Sequence, residues 1–201
     1  MISRKRILFS LAMVAFLFMP ALAPVASAQN VCVHRNGLLA FQSGLANCNS
    51  AAGSRSVAIG AGSFADTNFS GTGNSAVAVG EGSGSFAGEG DGNTATAVGS
   101  FNEVAAGQDD GNRLTAVGNG NLMYTANGAN DNSGVVVGDG NLTEFIDGSN
   151  GNRAVAFGDE NNLEFDEGAQ NGSSIAIGDE NDIDTDGSSN TSALAIGVNK
   201  D

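Results

Sequence analysis

The chain is poor in the residues that most enzymes and nucleic-acid-binding proteins depend on. Its 201 residues include one histidine, two cysteines and eight Lys plus Arg. That histidine, His34, and both cysteines, Cys32 and Cys48, fall in the first 50 residues. Everything after them therefore lacks the means for a Ser/His/Asp or Cys/His nucleophilic set, and the chain is not expected to be an enzyme. Against the eight basic residues stand 22 Asp plus Glu, a formal net charge of −14. Such a balance argues against nucleic acid and anionic lipid surfaces as partners. Long hydrophobic runs are also scarce. The only one lies at the very start, so no membrane insertion of the mature chain is expected.

That start has its own composition. Arg4, Lys5 and Arg6 precede an apolar run from Ile7 to Val25, interrupted by Pro20 and Pro24, and Ala26-Ser27-Ala28 follows. The uninterrupted part is too short to span a bilayer, and the pattern is that of a secretory signal peptide, 1–28. The expected localisation is secreted or bacterial cell surface. Removing the leader takes three basic residues and no acid, which leaves five basic against 22 acidic residues, or −17. In an oxidising compartment the default reading of Cys32 and Cys48 is a disulfide, within an N-terminal cap at 29–52. Two thiols and one imidazole make an incomplete zinc set.

What the chain has in plenty is glycine, 30 residues, and these mark a repeat over 53–201. Ser56-Val-Ala-Ile-Gly60 recurs as Ala76-Val-Ala-Val-Gly80 and, six more times, up to Ala193-Leu-Ala-Ile-Gly197. The terminal glycines are Gly60, Gly80, Gly99, Gly118, Gly138, Gly158, Gly178 and Gly197, a period of 19–20 residues. Within each copy Val57 and Ile59, or their equivalents, alternate with Ala58, the period of a β-strand. The alanine face is small enough to permit close approach by another layer or subunit. Five and seven residues after the glycine a second alternating pair appears, for example Met123 and Thr125, or Leu163 and Phe165. The expected fold is all-β: a parallel β-solenoid of about eight coils, two short strands per repeat. At about 4.8 Å per coil this is a rod roughly 35–40 Å long.

The turn residues also recur. Glycine suits a corner with positive φ. Three residues later stand Asn102, Asn121, Asn141, Asn161 and Asn181; six residues earlier stand Asn74, Asn93, Asn112, Asn132 and Asn152. Both sets are expected to form hydrogen-bonded ladders that satisfy the corner backbone. Acids stack in the same way: Asp139, Asp159 and Asp179 in one column, Glu144, Glu164 and Asp184 in another. Their mutual repulsion invites cations, and Asp182-x-Asp184-x-Asp186-Gly187 matches the opening of a calcium loop without its closing glutamate. Calcium is thus the one candidate cofactor, with Asp182, Asp184 and Asp186 as its ligands. Arg55, Arg113 and Arg153 stand singly near turns.

Ser56-Val-Ala-Ile-Gly-Ala-Gly-Ser-Phe-Ala65, Asn74-Ser-Ala-Val-Ala-Val-Gly80 and Ser173-Ser-Ile-Ala-Ile-Gly178 resemble the YadA-like head repeats of trimeric autotransporter adhesins. The resemblance spans about 53–197. It implies a left-handed β-roll, trimerisation through the roll faces, and adhesion to matrix proteins or cells. The repeats here are longer than the family's, and this sequence shows no stalk or membrane anchor after them. The leading expectation is an adhesin-like protein that binds an extracellular protein or surface ligand. The alternative is a structural solenoid of a matrix or filament, assembled as a trimer or head to tail. Ice binding is a minor option, because Thr94, Thr96, Thr125 and Thr185 form no continuous threonine column.

Overall fold

The computed structural model describes residues 30–107 and 109–197. The expected signal peptide lies outside the described residues. All regular structure in the described residues is β, in eighteen strands. In chain order they are β1 (Val31–Arg35), β2 (Leu38–Ser43), β3 (Asn47–Ser50), β4 (Arg55–Ile59), β5 (Phe64–Thr67), β6 (Ser75–Val79), β7 (Gly84–Gly88), β8 (Thr94–Ser100), β9 (Glu103–Gly107), β10 (Arg113–Asn119), β11 (Leu122–Thr125), β12 (Ser133–Asp139), β13 (Leu142–Phe145), β14 (Arg153–Phe157), β15 (Asn162–Phe165), β16 (Ser173–Ile177), β17 (Asp182–Asp184) and β18 (Ser192–Ile196).

From β3 onward, successive strands alternate between two parallel sheets, so the chain winds as a β-solenoid. Sheet A runs β18-β16-β14-β12-β10-β8-β6-β4 and is extended by β1 and β2; sheet B runs β17-β15-β13-β11-β9-β7-β5-β3. Eight stacked strands in each sheet are separated by seven steps, so the tube makes about seven turns. Register is kept through the copies: Val117 pairs with Val98 on one side and Val137 on the other, and Gly118 with Gly99 and Gly138.

The interior is where size decides. Ala58, Ala78, Ala97, Ala116, Ala156 and Ala176 point inward from sheet A and are completely buried. Sheet B supplies most of the larger inward groups, Val104, Met123, Leu163, Phe145 and Phe165, while sheet A adds Leu114 and Val136. Phe145 and Phe165 stack with centroids 5.0 Å apart and planes at 15°. The two sides compensate: where Met123 and Phe145 need room, sheet A offers Gly134, whose added Cβ would lie 2.5 Å from the Met123 Cε. The alanine faces are consequently not available for subunit contact, contrary to the expectation from sequence. The bulkier Val and Ile positions of sheet A face out.

The corner after sheet A explains the repeat glycine. Gly118, Gly138 and Gly158 have φ of 128°, 136° and 122°. A Cβ on Gly118 would collide with the carbonyl oxygen of Gly138, and one on Gly138 with that of Gly158. The asparagines follow the same logic. The backbone N–H of Asn141 donates to Asn121 Oδ1 at 3.0 Å, its Nδ2 donates to the same oxygen at 2.9 Å, and Nδ2 also donates to the Gly158 carbonyl at 2.8 Å. Asn121, Asn161 and Asn181 repeat this set around the buried corner. A second ladder, Asn74-Asn93-Asn112-Asn132-Asn152, closes the opposite corner and ends on the Gly172 N–H. Each rung thus satisfies buried backbone groups that the turn would otherwise orphan.

At the first coil a disulfide joins Cys32 on β1 to Cys48 on β3, with Cα atoms 5.6 Å apart. It ties sheet A to sheet B where the tube begins. Beside it, His34 Nδ1 lies 2.9 Å from Ser50 Oγ and accepts from the Ser50 N–H at 3.0 Å. The chain's one histidine therefore serves the cap.

Candidate functional site

With the interior filled, the molecule has two broad outward sheet faces. Their residues follow from parity: every second residue of a strand points out. On sheet A two mostly aliphatic columns run side by side. One is Val57, Val77, Thr96, Thr115, Val135, Val155, Ile175 and Leu194; the other is Ile59, Val79, Val98, Val117, Val137, Phe157, Ile177 and Ile196. The antiparallel strands β1 and β2 carry the surface further, because Val33 lies beside Val57, Val31 beside Ile59, and Phe41 beside Val33. This surface is well exposed for such residues: Ile59, Ile177 and Phe157 keep 41%, 43% and 46% of their area open.

Both margins of this face are charged, with opposite signs. Along one edge the register aligns Arg35, Arg55, Ser75, Thr94, Arg113, Ser133, Arg153, Ser173 and Ser192. Every Lys or Arg among the described residues is in this one column. Each repeat arginine precedes its glycine by five residues, a phase visible in the sequence; Arg35 is not, because β1 runs antiparallel. The other edge, at the corner, carries Ala61, Glu81, Ser100, Asn119, Asp139, Asp159 and Asp179. Here the side chains form their own ladder. Asp139 Oδ1 accepts from the Asn119 N–H at 2.7 Å, Asp159 Oδ1 from the Asp139 N–H at 2.8 Å, and Asp179 Oδ1 from the Asp159 N–H at 3.1 Å.

Sheet B faces outward with a different chemistry. Its two columns are Asn47, Phe64, Gly84, Glu103, Leu122, Leu142, Asn162 and Asp182, and Asn49, Asp66, Phe86, Ala105, Tyr124, Glu144, Glu164 and Asp184. Six of these sixteen positions are acidic and none is basic. Phe64 and Phe86 meet at 5.3 Å near one end. Burial raises the Glu164 carboxyl above the ordinary glutamate value of 4.5, and the charges of Glu144 and Asp184 on either side add to it. Burial likewise raises the Tyr124 hydroxyl, which also hydrogen-bonds Glu144.

The calcium arrangement expected at Asp182, Asp184 and Asp186 is not assembled. Asp182 and Asp184 are two residues apart on strand β17, about 7 Å along it, and both project outward from the sheet. Asp186 stands in the following turn. A calcium loop wraps its oxygens around one point, whereas a straight strand holds them apart. Among the described residues no group of three or more His, Cys, Asp or Glu is placed to hold a metal ion. Nor is any helix among them long and apolar enough to cross a membrane. No protein-family model, curated protein or solved structure matches the chain.

Proposed function

We propose that the protein is an exported, non-catalytic contact module: a rigid rod that works, adhesin-like, by laying the outward face of sheet A against another surface. One observation carries this reading. The face holds two continuous columns of mostly aliphatic side chains, with Thr96, Thr115 and Phe157 among them, held in register, far more apolar area than a solvated sheet needs. Rigidity supports it, because the corner ladders and the alanine interior leave the face little freedom to rearrange on contact, so little ordering entropy is lost.

The test is retention of the mature chain on cell-surface protein or on an apolar surface. Replacing Val137 and Ile177 together by lysine is expected to lower retention at least about tenfold, given roughly 1.5–3 kcal/mol for each buried side chain. The same change at Leu142 on sheet B should leave retention unaltered. Equal retention of all three proteins would remove the reading.

A structural role is the second reading. It is favoured by β18, the outermost strand of sheet A among the described residues, where Leu194 and Ile196 are exposed. An unpaired edge is a template for another strand. Filaments of the mature chain under the electron microscope would support that role.

A further inference from the structure

We infer that the partner of the sheet A face is a second copy of this chain, docked face to face about a two-fold axis parallel to the solenoid axis. The inference rests on the reading above that this face makes the contact, and names what lies on the other side.

The charged margins choose the geometry. When two identical faces meet, the two-fold axis lying in the interface runs either along the solenoid or across it. Along the solenoid, the left margin of one copy meets the right margin of the other, coil for coil. The arginine column then lies over the acidic column of the partner. Across the solenoid, each margin meets itself: with the ten strands fully overlapped, Arg55 meets Arg153 and Glu81 meets Asp139, which like-charge repulsion disfavours. With the axis between the two aliphatic columns, a residue five before the repeat glycine faces the residue just after it in the same coil. Arg153 then meets Asp159, with Asp139 and Asp179 one coil away. Arg113 meets Asn119 with Asp139 one coil away, and Arg55 lies within one coil of Glu81. An arginine side chain easily spans the roughly 4.8 Å between coils.

The area suits the same partner. Ten strands and five residues across give about 43 Å by about 16 Å, roughly 700 Å² in projection and more along the pleated surface. A standard stable interface takes about 800 Å² from each side. A flat face is covered fully by one other flat face. Around a three-fold axis, three flat faces meet only at their edges and leave the middle open, so the dimer covers more apolar area per copy than the trimer implied by resemblance.

The test uses the mature chain in analytical ultracentrifugation. Twice the chain mass is expected, with Val137→Lys plus Ile177→Lys raising the dissociation constant at least about tenfold and leaving the circular dichroism unchanged. Arg113→Glu plus Arg153→Glu should weaken the dimer at low salt, and added salt should shrink the difference from the unaltered chain. Ile175→Cys, on an outward position far from the middle of the rod, should join to its own mate with a short bis-maleimide, because only parallel solenoids bring the two together. No free cysteine competes among the described residues. A monomer at all concentrations, a trimer, or no Ile175→Cys crosslink would overturn the inference. A monomer whose lysine variant still loses surface retention would leave the proposed function standing and remove only the second copy. Loss of neither dimer nor retention in that variant would remove both.

Discussion

The outward faces of sheets A and B belong to one tube and share one coil spacing, yet they present opposite chemistry to the surroundings. Sheet A shows valine, isoleucine and phenylalanine between an arginine margin and an aspartate margin. Sheet B shows glutamate and aspartate in stacked columns, with a few aromatic and leucine side chains and no basic residue. The inside differs as well: the inner surface of sheet A is mostly alanine, with Leu114 and Val136 as its larger members, and sheet B sends in Met123, Leu163, Phe145 and Phe165. A narrow tube has room for few large side chains, and most of them come from sheet B. The wall that contributes small residues inward is free to place its bulk outward, where contact with another surface can use it.

The largest expected effect comes from the corner that holds the two faces apart. Asn141→Ala removes the side-chain bonds to Asn121 Oδ1 and the Gly158 carbonyl together with the acceptor of the Asn161 N–H, and leaves those buried groups unpaired, a loss of about 3 kcal/mol. Chemical denaturation would measure it, and a loss within error of zero would show that the ladder is ornamental. Next comes the division of size between the walls. Ala156→Leu on the inner surface of sheet A should overpack the tube and cost roughly 1–3 kcal/mol, while Val155→Leu, its outward neighbour, should cost under about 0.5 kcal/mol. Equal costs would erase the distinction between the surfaces.

Smaller effects sharpen the contrast in charge. Glu164→Gln removes the middle carboxylate of the sheet B column and should raise the melting temperature by a degree or two, on the order of 0.5 kcal/mol. The same chemistry sets a pH dependence. Glu164 holds its proton more tightly in the folded protein than in the unfolded chain, and so does Glu167, which the neighbouring charges of Asp186 and Asp166 push the same way. Folded protein therefore binds more protons as pH falls through their raised values toward the ordinary 4.5. Stability should rise over that window and stop rising below it. Thermal melts between neutral and mildly acidic pH check this, and Glu164→Gln should blunt the rise. Monotonic loss of stability from neutral pH downward would contradict it.

Much of the fold was legible before any coordinates. Strand alternation around Val57-Ala58-Ile59, the recurring glycine and the two asparagine sets each declare a fixed place in a coil. Local chemistry constrains them: period two belongs to strands, positive φ to glycine, and a buried turn to an amide that both donates and accepts. The inner pair on sheet B, such as Leu163 and Phe165, was readable for the same reason. The arginine margin was partly readable, since Arg55, Arg113 and Arg153 share a phase. The calcium-loop resemblance at Asp182, Asp184 and Asp186 misled, because a short spacing motif is silent about whether its backbone bends or runs straight.

By itself, the sequence determined the coil: its length, its corners, its register and the stacking of like residues into columns, all consequences of short-range geometry repeated eight times. Only the tertiary structure decided which side of the sheet A strand is the inside. Valine and alanine are both apolar, so hydrophobicity does not choose between them. The choice depends on the width left between the two walls, and that distance exists only when the two sheets are brought together.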